Sequence, residues 1–394
     1  GRHTPMTRRY YAGADFRRAL SIEELRRVAQ SRLPRFEMEY LEGGAEDETT
    51  LKRNRSIFER ITWLPRMLVG TGLPDLARDV LGDSLHLPLI IAPTGFNGML
   101  WPQGDLALAR AADAAGIAFT LSTVSNFDVV ALNPQLQRPS WFQLYPLKDQ
   151  KTSDRLIERA QAAGCDKLVV TVDVPALGAR EWDQRNYSRP LKLSPSSVLD
   201  VLLHPRWLWQ VMLPHGAPEF ANLTEFLPAG ARSALQGVRF MGTQINPTLA
   251  WADIERMRSR WQGKLVLKGI LCVEDAKRSV EAGADGIVLS NHGGRQLDSC
   301  VTGIELVGQC AAEVGDRLTI IVDGGFRRGS DVLKAVALGA DAVMLGRAAL
   351  YGLAAGGEAG VAHALSLLRV EMERAMTLLG CHTLDELGPH LIRA

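Results

Sequence analysis

Eight short apolar runs between residues 89 and 346 constrain the fold of this chain most strongly. Most of them are followed by an amphipathic or alanine-rich stretch with helical spacing. Because the runs are continuously apolar rather than alternating, they indicate strands that are buried on both faces of a parallel sheet. We therefore predict an α/β fold, a single (β/α)8 TIM barrel, with strands near 89–92, 118–122, 141–145, 168–173, 265–268, 286–290, 319–323 and 342–346.

The predicted helices between the strands have recognisable ends. We expect them near 105–115, 153–163, 249–261, 274–282 and 330–338. Several end in an Ala-Gly or Gly-Ala pair, which is typical of a helix stop before the next strand. The domain organisation that we expect is an N-terminal helical extension (1–85), a (β/α)8 barrel domain (86–380) with a long insertion after its fourth strand (190–230 at its centre), and a C-terminal tail (381–394).

The N-terminal extension carries a start signal for a helix. Ser21-Ile-Glu-Glu24 has the spacing of a capping box, in which the serine and glutamate side chains cap each other's backbone N–H groups.

Residues 197–214, within the insertion, have an unusual composition. They combine Leu, Val and Met with Trp207 and Trp209 and carry few charges. A loop that covers the barrel mouth or packs in an oligomer interface would have this composition. A monotopic membrane anchor would have it too, because Trp and basic residues suit the bilayer interface. Composition alone leaves both interpretations open.

Bulk properties exclude several classes of protein. The chain of 394 residues is 46% hydrophobic and 23% charged, as in a globular protein with a large core. Its net charge of +1 gives no electrostatic case for nucleic acid. The five cysteines are odd in number and lack paired metal spacing, so we expect reduced thiols and no metal site. Residues 1–35 lack the apolar core of a signal peptide. The sequence has no run of about 18 apolar residues, so we expect no membrane-spanning segment.

The nonapeptide Ser290–Asp298 is the most informative motif. It follows the apolar run 286–289 directly and brings His292 and Arg295, three residues apart, into a tight turn at the end of a strand. A base beside a fixed cation suits proton abstraction from an anionic substrate. The alternative interpretation is a surface turn with a solvated histidine and arginine.

Two further strand ends predict a phosphate site. Asp323-Gly-Gly-Phe-Arg-Arg-Gly329 follows the seventh strand, and Gly346-Arg347 follows the eighth. Barrel enzymes commonly bind phosphate between these two loops. No G-x-G-x-x-G follows a strand, so a dinucleotide on a doubly wound sheet is not expected. Lys268 ends a buried strand, where it is either paired structurally or directed at negative charge on a cofactor.

Together these motifs resemble the FMN-dependent 2-hydroxy-acid dehydrogenases and oxidases. The resemblance extends from Leu33 to Cys381. The segments that carry it are Tyr40–Asp47, Ala92–Gly95, Trp141–Tyr145, Thr171–Asp173, Lys268–Gly269, Ser290–Asp298, Asp323–Gly329 and Leu345–Arg347.

The resemblance implies a role for each matching residue. His292 is the base at the substrate C2, Asp173 supports its imidazole, and Arg180 and Arg295 hold the substrate carboxylate. Tyr40 and Tyr145 bind the substrate's polar groups, and Lys268 stabilises reduced flavin. The residues implied to hold FMN, besides Lys268, are Pro93, Thr94, Gly95, Ser122, Gln143, Thr171, Asp323, Gly325, Arg327, Gly346 and Arg347.

Three segments are similar to the mandelate-oxidising members of the family: Thr94–Arg110, Leu121–Asn126 and Ala349–Ala355. Leu203–Trp209 is similar to the quinone-linked members that oxidise L-lactate. This implies oxidation of an (S)-2-hydroxy acid, with mandelate or a related aryl acid favoured over L-lactate. It also implies electron transfer to a membrane quinone, a homotetramer, and a peripheral position on the cytoplasmic face of the inner membrane, with contact through about 197–214.

Two positions bear on the acceptor and the substrate. Family oxidases tend to carry alanine where this chain has Gly95, so glycine favours a dehydrogenase. Val124 lies where the short-chain glycolate enzymes have tryptophan, which leaves room for a larger substrate side chain.

Three rival functions stay open from the sequence. They are a soluble oxidase that releases hydrogen peroxide, a flavin barrel of another class, and a non-catalytic binding barrel at a membrane surface. The second typically uses a catalytic cysteine, and we expect no cysteine after a barrel strand at the mouth. The third gives no reason for His292, Asp173 and Lys268 to occur together.

Overall fold

Eight parallel strands close into a barrel in sequence order, so the predicted (β/α)8 TIM barrel is confirmed. The computed structural model describes residues 8–189, 192–227 and 233–393. We number the barrel strands β1 to β8; they are Leu89–Ile91, Ala118–Ser122, Trp141–Leu144, Lys167–Thr171, Lys264–Ile270, Gly286–Leu289, Thr319–Val322 and Ala342–Leu345. Pairing of β8 with β1, through Met344 and Ile90, completes the closure.

Helices follow the strands as predicted. The five expected ones are Gly104–Ala114, Gln150–Ala162, Trp251–Arg260, Val273–Glu281 and Gly329–Leu338, and two more are Gly303–Val314 and Arg347–Leu379. The last helix departs from helical geometry at Gly356 and Gly357. Short helical turns lie at Asn97–Leu100, Val129–Leu132, Asn133–Gln135, His292–Gly294, Leu384–Glu386 and Pro389–Leu391.

The glycines after four of these helices have the conformation that a helix stop requires. Gly116, Gly164, Gly283 and Gly339 have φ values of +68°, +89°, +81° and +115°. Left-handed backbone costs a glycine little, whereas it costs other residues a steric penalty. Each glycine therefore turns the chain from a helix toward the next strand.

The strands are buried on both faces, as their apolar composition indicates. Ile90, Val169, Val266 and Ile321 point into the barrel and are fully buried there. The alternate residues of the same strands pack outward against the helices. An antiparallel hairpin, Arg78–Val80 with Asp83–Leu85, adds Val80 and Leu85 to the inner cluster.

From residue 8 onward, three helices precede the barrel: α1 (Ile22–Arg32), α2 (Arg35–Glu42) and α3 (Thr49–Arg60), after a short turn at Phe16–Arg18. The Ser21 side chain caps α1 by accepting a hydrogen bond from Glu24 N. The reciprocal half of the predicted capping box is wrong, because the Glu24 carboxylate accepts from the backbone N–H groups of Tyr11 and Leu20 instead. Thr62–Trp63, shortly after α3, pairs in antiparallel fashion with Ile392–Arg393 near the C-terminus.

The insertion between β4 and β5 consists of short elements. They are Glu181–Asn186, Tyr187–Arg189, Lys192–Leu193, Pro195–Leu202, Pro205–Trp207, Leu208–Met212, Leu213–His215, Ala221–Phe226 and Ala234–Gln244. Residues 190–191 and 228–232 of the predicted insertion, and residues 1–7 of the predicted extension, lie outside the described residues. Within the described ranges, no helix combines the length and the apolar character needed to cross a membrane.

The unusual segment 197–214 has two faces. Trp207 is 1% exposed, and its indole N–H donates to the carbonyl of Met99 at 2.9 Å. Leu203 and Trp209 are each 72% exposed, and Val198, Leu199, Leu202 and Leu213 are exposed with them. The segment is therefore fixed to the barrel through Trp207 and presents an apolar outer face, which we call the apolar ridge.

Candidate active site

His292 and Asp173 form a hydrogen-bonded pair at the carboxyl ends of β4 and β6. The imidazole Nδ1 lies 3.0 Å from Asp173 Oδ1 and 3.2 Å from Oδ2. Burial alone would raise the pKa of Asp173, but His292 and Lys268 together hold that pKa below its usual value. An ionised carboxylate at Nδ1 fixes the imidazole and leaves Nε2 for the substrate.

The turn that carries His292 is built by its neighbours in the nonapeptide. His292 has a φ of +59°, an uncommon value for a residue with a side chain. Its backbone N–H donates to Ser290 Oγ at 3.0 Å, and Asn291 Oδ1 accepts from Gly294 N at 3.1 Å. Asn291 also exchanges amide hydrogen bonds with Asn54 of α3. The motif thus holds a strained turn that directs the imidazole into the barrel mouth.

Two arginines and a tyrosine lie on the same side of the mouth. Arg295 Nη1 donates to the carbonyls of Tyr40 and Gly43, and its guanidinium lies 5.1 Å from the centre of the Tyr40 ring. Arg180 lies 3.4 Å from the Asp183 carboxylate. Burial and the nearby Arg180 charge lower the pKa of Arg295. Two like-charged guanidinium groups, both partly buried, make a site that favours an anion.

Lys268, which is 5% exposed, ends up between two acids at the centre of the mouth. Its Nζ lies 3.1 Å from Asp323 Oδ2 and 3.3 Å from Ser290 Oγ. Burial lowers the pKa of Lys268, but Asp323 and Asp173 raise it above its usual value overall. Asp323 Oδ1 is buried and has no hydrogen-bond partner among the described residues.

A row of hydrogen-bonding side chains crosses the ends of β2, β3 and β4. Ser122 Oγ donates to Gln143 Oε1, and Gln143 Nε2 donates to Thr171 Oγ1, both at 2.9 Å. All three residues are buried. Tyr145 lies beyond them, and burial raises its pKa to about 12. A planar, polar ring system would find donors and acceptors along this row.

The first strand contributes a half-buried turn to the mouth. Pro93, Thr94 and Gly95 follow β1, and Thr94 is hydrogen-bonded to Asn97. A Cβ atom at Gly95 would lie 2.7 Å from Val124 Cγ2. Gly95 and Val124 are therefore in contact, and neither position accepts a larger residue without a shift of the other.

The loops after β7 and β8 form the predicted phosphate end. Gly324 and Gly325 have φ values of +101° and +82°, and a Cβ at Gly325 would lie 1.9 Å from Asn54 O. A Cβ at Gly346 would meet no atom within 4 Å. Arg327 and Arg347 line a cavity of about 740 Å³ beside these loops, under α1 to α3. Burial, together with Arg295, lowers the pKa of Arg347 to about 9.

One expectation about the cysteines is wrong. Cys272 follows β5 closely, contrary to the expectation that no cysteine does so. Its sulfur caps the helix Val273–Glu281 by accepting from Asp275 N, and burial raises the pKa of its thiol. Cys272 is thus a structural thiol, since a nucleophile needs a lowered pKa. All five cysteines are free.

Three residues complete the site although the sequence analysis gave them no role. Ser290 bonds both Lys268 and His292, and Asn54 and Asn291 join α3 to the turn. The nonapeptide contains Ser290 and Asn291, so the motif included them without indicating what they contact. No sequence motif indicated Asn54, because its partner, Asn291, lies 237 residues away in the sequence.

Comparisons with known proteins agree with this geometry. Residues 29–394 match the family described as FMN-dependent dehydrogenase. The chain belongs to this family. It is 43% identical to (S)-mandelate dehydrogenase of Pseudomonas putida over 374 residues, 95% of this chain and 93% of the relative. It is also 43% identical to L-lactate dehydrogenase of Xanthomonas euvesicatoria pv. vesicatoria (strain 85-10), over 93% of this chain and 95% of the relative.

Solved structures give the same result. The crystal structure of the monotopic membrane protein (S)-mandelate dehydrogenase has a TM-score of 0.91 at 43% identity, and covers 95% of this chain and 99% of that one. Mandelate oxidase with (S)-4-hydroxymandelic acid has a TM-score of 0.79 at 39% identity, over 93% of this chain and 96% of that one.

The site suits the FMN of this family. The unpartnered Asp323 Oδ1 is available to a ribityl hydroxyl, and the row from Ser122 to Thr171 suits a flavin ring. The Arg347 guanidinium is held by the carbonyls of Leu41, Gly293 and Gly43 beside the loops after β7 and β8, where its positive charge would attract a phosphate. The expected cofactor, FMN, is confirmed by the family to which the chain belongs.

Proposed function

We propose that the protein oxidises an (S)-2-hydroxy acid to the 2-keto acid, with mandelate or a related aryl acid favoured. The observation that carries this proposal is the hydrogen bond between His292 and Asp173 at the mouth that Arg180 and Arg295 also enter. A base and two cations at the same mouth of the barrel suit an anionic substrate that loses a proton. The 43% identity to (S)-mandelate dehydrogenase supports the choice of acid.

The reaction removes two electrons and two protons from the substrate. His292 Nε2 takes one proton, from C2–H or from the hydroxyl, and the Asp173 carboxylate stabilises the imidazolium that results. FMN, when bound, would accept the two electrons together with the second proton. Lys268 places its positive charge where negative charge develops in the mouth, because it is held between Asp323 and Ser290.

Arg180 and Arg295 fix the substrate carboxylate in this scheme. Guanidinium groups bind carboxylates with two parallel hydrogen bonds, which sets orientation as well as affinity. Tyr40 and Tyr145, both partly buried phenols with raised pKa values, stay protonated and would donate to the substrate. Val124 lies beside the substrate side chain.

The FMN-holding residues divide along the barrel mouth. Lys268, the turn Pro93–Gly95 and the hydrogen-bonded row would hold the flavin ring. Asp323 would bind the ribityl chain, and the loops after β7 and β8 would hold the phosphate. The residues of the row and of the loops are Ser122, Gln143, Thr171, Gly325, Arg327, Gly346 and Arg347.

A membrane quinone is the proposed electron acceptor. The apolar ridge would enter the bilayer interface, because exposed Leu and Trp side chains gain free energy there. The chain would then lie as a peripheral, monotopic protein on the cytoplasmic face of the inner membrane. The monotopic (S)-mandelate dehydrogenase structure supports this placement.

The assembly and the domain limits are part of the same proposal. Residues 86–380 form the FMN-binding barrel, flanked by the extension 1–85 and the tail 381–394, and 190–230 make the membrane contact. Family resemblance suggests a homotetramer. An apolar surface at Leu64, Met67, Leu68 and Leu73 is exposed in the single chain and suits a subunit contact.

Turnover with defined acids tests the proposal. The FMN-loaded protein is supplied with (S)-mandelate, (R)-mandelate or L-lactate and with a quinone analogue, and the 2-keto acid is quantified. Keto acid from (S)-mandelate alone supports the proposal. Keto acid from L-lactate alone supports the alternative, an L-lactate dehydrogenase, which the 43% identity to such an enzyme favours.

A soluble oxidase is the second alternative, and the match to mandelate oxidase favours it. Oxygen consumption with release of hydrogen peroxide during turnover would establish it. The higher identity and TM-score with the dehydrogenase support electron transfer to a quinone instead.

A further inference from the structure

Glu37 is a buried acid near the barrel mouth that the proposed reaction does not use. The residue is 3% exposed, and its Oε2 has no hydrogen-bond partner in the described part of the chain. A buried carboxylate without a partner is very unfavourable, whereas a buried carboxylic acid is tolerated. The geometry therefore favours the protonated form of Glu37.

The groups around Glu37 do not favour its ionised form either. Burial, and then the Asp183 carboxylate, raise the pKa of Glu37 to about 8. Tyr187, on the strand Tyr187–Arg189 of the insertion, faces Glu37, and Glu37 contributes to the raised pKa of that phenol. Two further charged groups lie on the other elements packed against α2. Arg32 of α1 lies over the Trp101 ring, and Asp200 of the helix Pro195–Leu202 accepts a hydrogen bond from Arg35 N.

Glu37 lies close to the groups that meet the substrate. It precedes Tyr40 by three residues, so both side chains are on one face of α2. The pKa of Tyr40, raised mainly by burial, is affected by Arg295, Arg180, Asp183 and Glu37. Glu37 is thus within electrostatic range of the phenol over which the Arg295 guanidinium lies.

We propose that Glu37 must carry its proton for an anionic substrate to bind between Arg180 and Arg295. This inference rests on the proposed function, which places the substrate carboxylate there. Ionised Glu37 would place a buried negative charge within electrostatic range of Tyr40, on the side of the mouth where the substrate carboxylate would bind, and such a charge opposes binding of an anion. Glu37 is therefore a positioning residue that acts through Tyr40 rather than by touching the substrate.

The proposal makes substrate binding proton-linked. Below pH about 8 Glu37 is already neutral, and an anion binds without a change in its protonation. Above this pH the free enzyme carries ionised Glu37, so binding of the anion takes up a proton and becomes weaker. His292 and Asp173 also face the substrate, and the test has to separate their protonation from that of Glu37.

Calorimetric titration of the FMN-loaded protein with phenylacetate tests the linkage. Phenylacetate has the carboxylate and the aryl group but no hydroxyl to oxidise. Between about pH 7 and pH 9.5 we expect its Kd to rise at least about fivefold. Titrations in buffers of different ionisation heat should give an uptake of nearly one proton per ligand at the higher pH.

The variants identify the responsible group. Glu37→Gln, a neutral isostere, should bind with a Kd that no longer depends on pH and without proton uptake; Glu37→Met, of similar length, should do the same. Tyr187→Phe and Glu39→Gln are matched controls, since they remove a neighbouring phenol and a carboxylate of the same helix. Both should keep the alkaline weakening.

Each other outcome overturns the proposal in a distinct way. Proton uptake that persists in Glu37→Gln would belong to His292. A wild-type Kd that does not change with pH would refute the role of Glu37 and leave the proposed function intact. If the wild-type protein retained FMN and bound no phenylacetate at any pH, the carboxylate site itself would be wrong, and both proposals would fall.

Discussion

The Nδ1 atom of His292 lies 3.0 Å from Oδ1 of Asp173, although 119 residues separate the two in sequence. β4 and β6 bring the pair together at the carboxyl end of the barrel, where TIM-barrel enzymes place their chemistry. The contact turns an ordinary histidine into an oriented base, because Nδ1 is occupied and Nε2 is the atom left for the substrate.

Asp173→Asn should keep the fold and FMN but slow flavin reduction by about 10²-fold or more, because the imidazolium loses its counter-ion. Stopped-flow absorbance after anaerobic mixing with (S)-mandelate measures this rate. Asp105→Asn is the control, since Asp105 is another buried acid and bonds Asn97 rather than His292. Equal rates in wild type and Asp173→Asn would refute the role of Asp173.

Lys268→Met should make the bound FMN harder to reduce, because a buried positive charge beside the flavin is lost. The midpoint potential of the flavin, measured by anaerobic redox titration, should become more negative. Lys167→Met is a matched control: Lys167 is 2% exposed and pairs with Asp83 and Asp166 at the start of β4. It should lower the Tm and leave the potential unchanged.

Gly95→Ala should change how fast reduced flavin reacts with oxygen. The new Cβ would lie 2.7 Å from Val124 Cγ2, so it must displace Val124 or enter the flavin edge. We expect faster reoxidation in air and slower reduction by (S)-mandelate. Adding Val124→Ala gives the Cβ room and should restore reduction by mandelate. If the variant and the wild type were reoxidised at the same rate, Gly95 would not be the reason for slow reaction with oxygen.

The apolar ridge should bind membranes without contributing to the chemistry. Replacing Leu199, Leu202, Leu203 and Trp209 with serine should move the protein from sedimenting vesicles to the supernatant. Each large apolar side chain that is removed from the bilayer interface takes about 1.5–3 kcal/mol from the free energy of membrane binding. Turnover with a water-soluble acceptor should stay unchanged. Trp207→Phe, at the buried anchor, should instead lower the Tm. Co-sedimentation of the serine variant at the wild-type level would show that the ridge does not bind membranes.

Glu37 should make the folded state less stable as the pH rises. Its pKa is raised from 4.5 to about 8, so the folded chain binds more protons than the unfolded chain between these values. This contribution to stability is fully present below pH about 4.5 and is lost as the pH rises through about 8. Glu37→Gln should therefore gain Tm over wild type from about pH 6 to pH 9. Differential scanning calorimetry that gave parallel Tm curves would mean that Glu37 ionises freely when folded.

The sequence predicted the barrel well because the local signals and the fold agree. Each strand is a continuous apolar run, and Gly116 or Gly339 ends a helix where left-handed backbone is required. The same reasoning failed where tertiary contacts decide. Glu24 has the spacing of a capping box, yet its carboxylate is taken by Tyr11 N and Leu20 N, which the spacing could not indicate.

The site was predictable where a motif carries it and invisible elsewhere. The nonapeptide predicted that His292 and Arg295 share one turn. It could not predict that Ser290 contacts Lys268, because that contact depends on the tertiary structure. No sequence motif indicated Glu37, because only tertiary packing buries it and leaves its Oε2 without a hydrogen-bond partner among the described residues.

Anaerobic bleaching of the bound flavin tests the central claim most directly. The FMN-loaded wild-type protein is mixed with (S)-mandelate in one cuvette and (R)-mandelate in another, and His292→Asn is treated in the same way. We predict rapid loss of the flavin absorbance with the (S)-enantiomer alone, and almost none in His292→Asn, which should stay yellow because FMN is still bound. Bleaching of His292→Asn at the wild-type rate, or none of the wild type by any 2-hydroxy acid, would contradict the account.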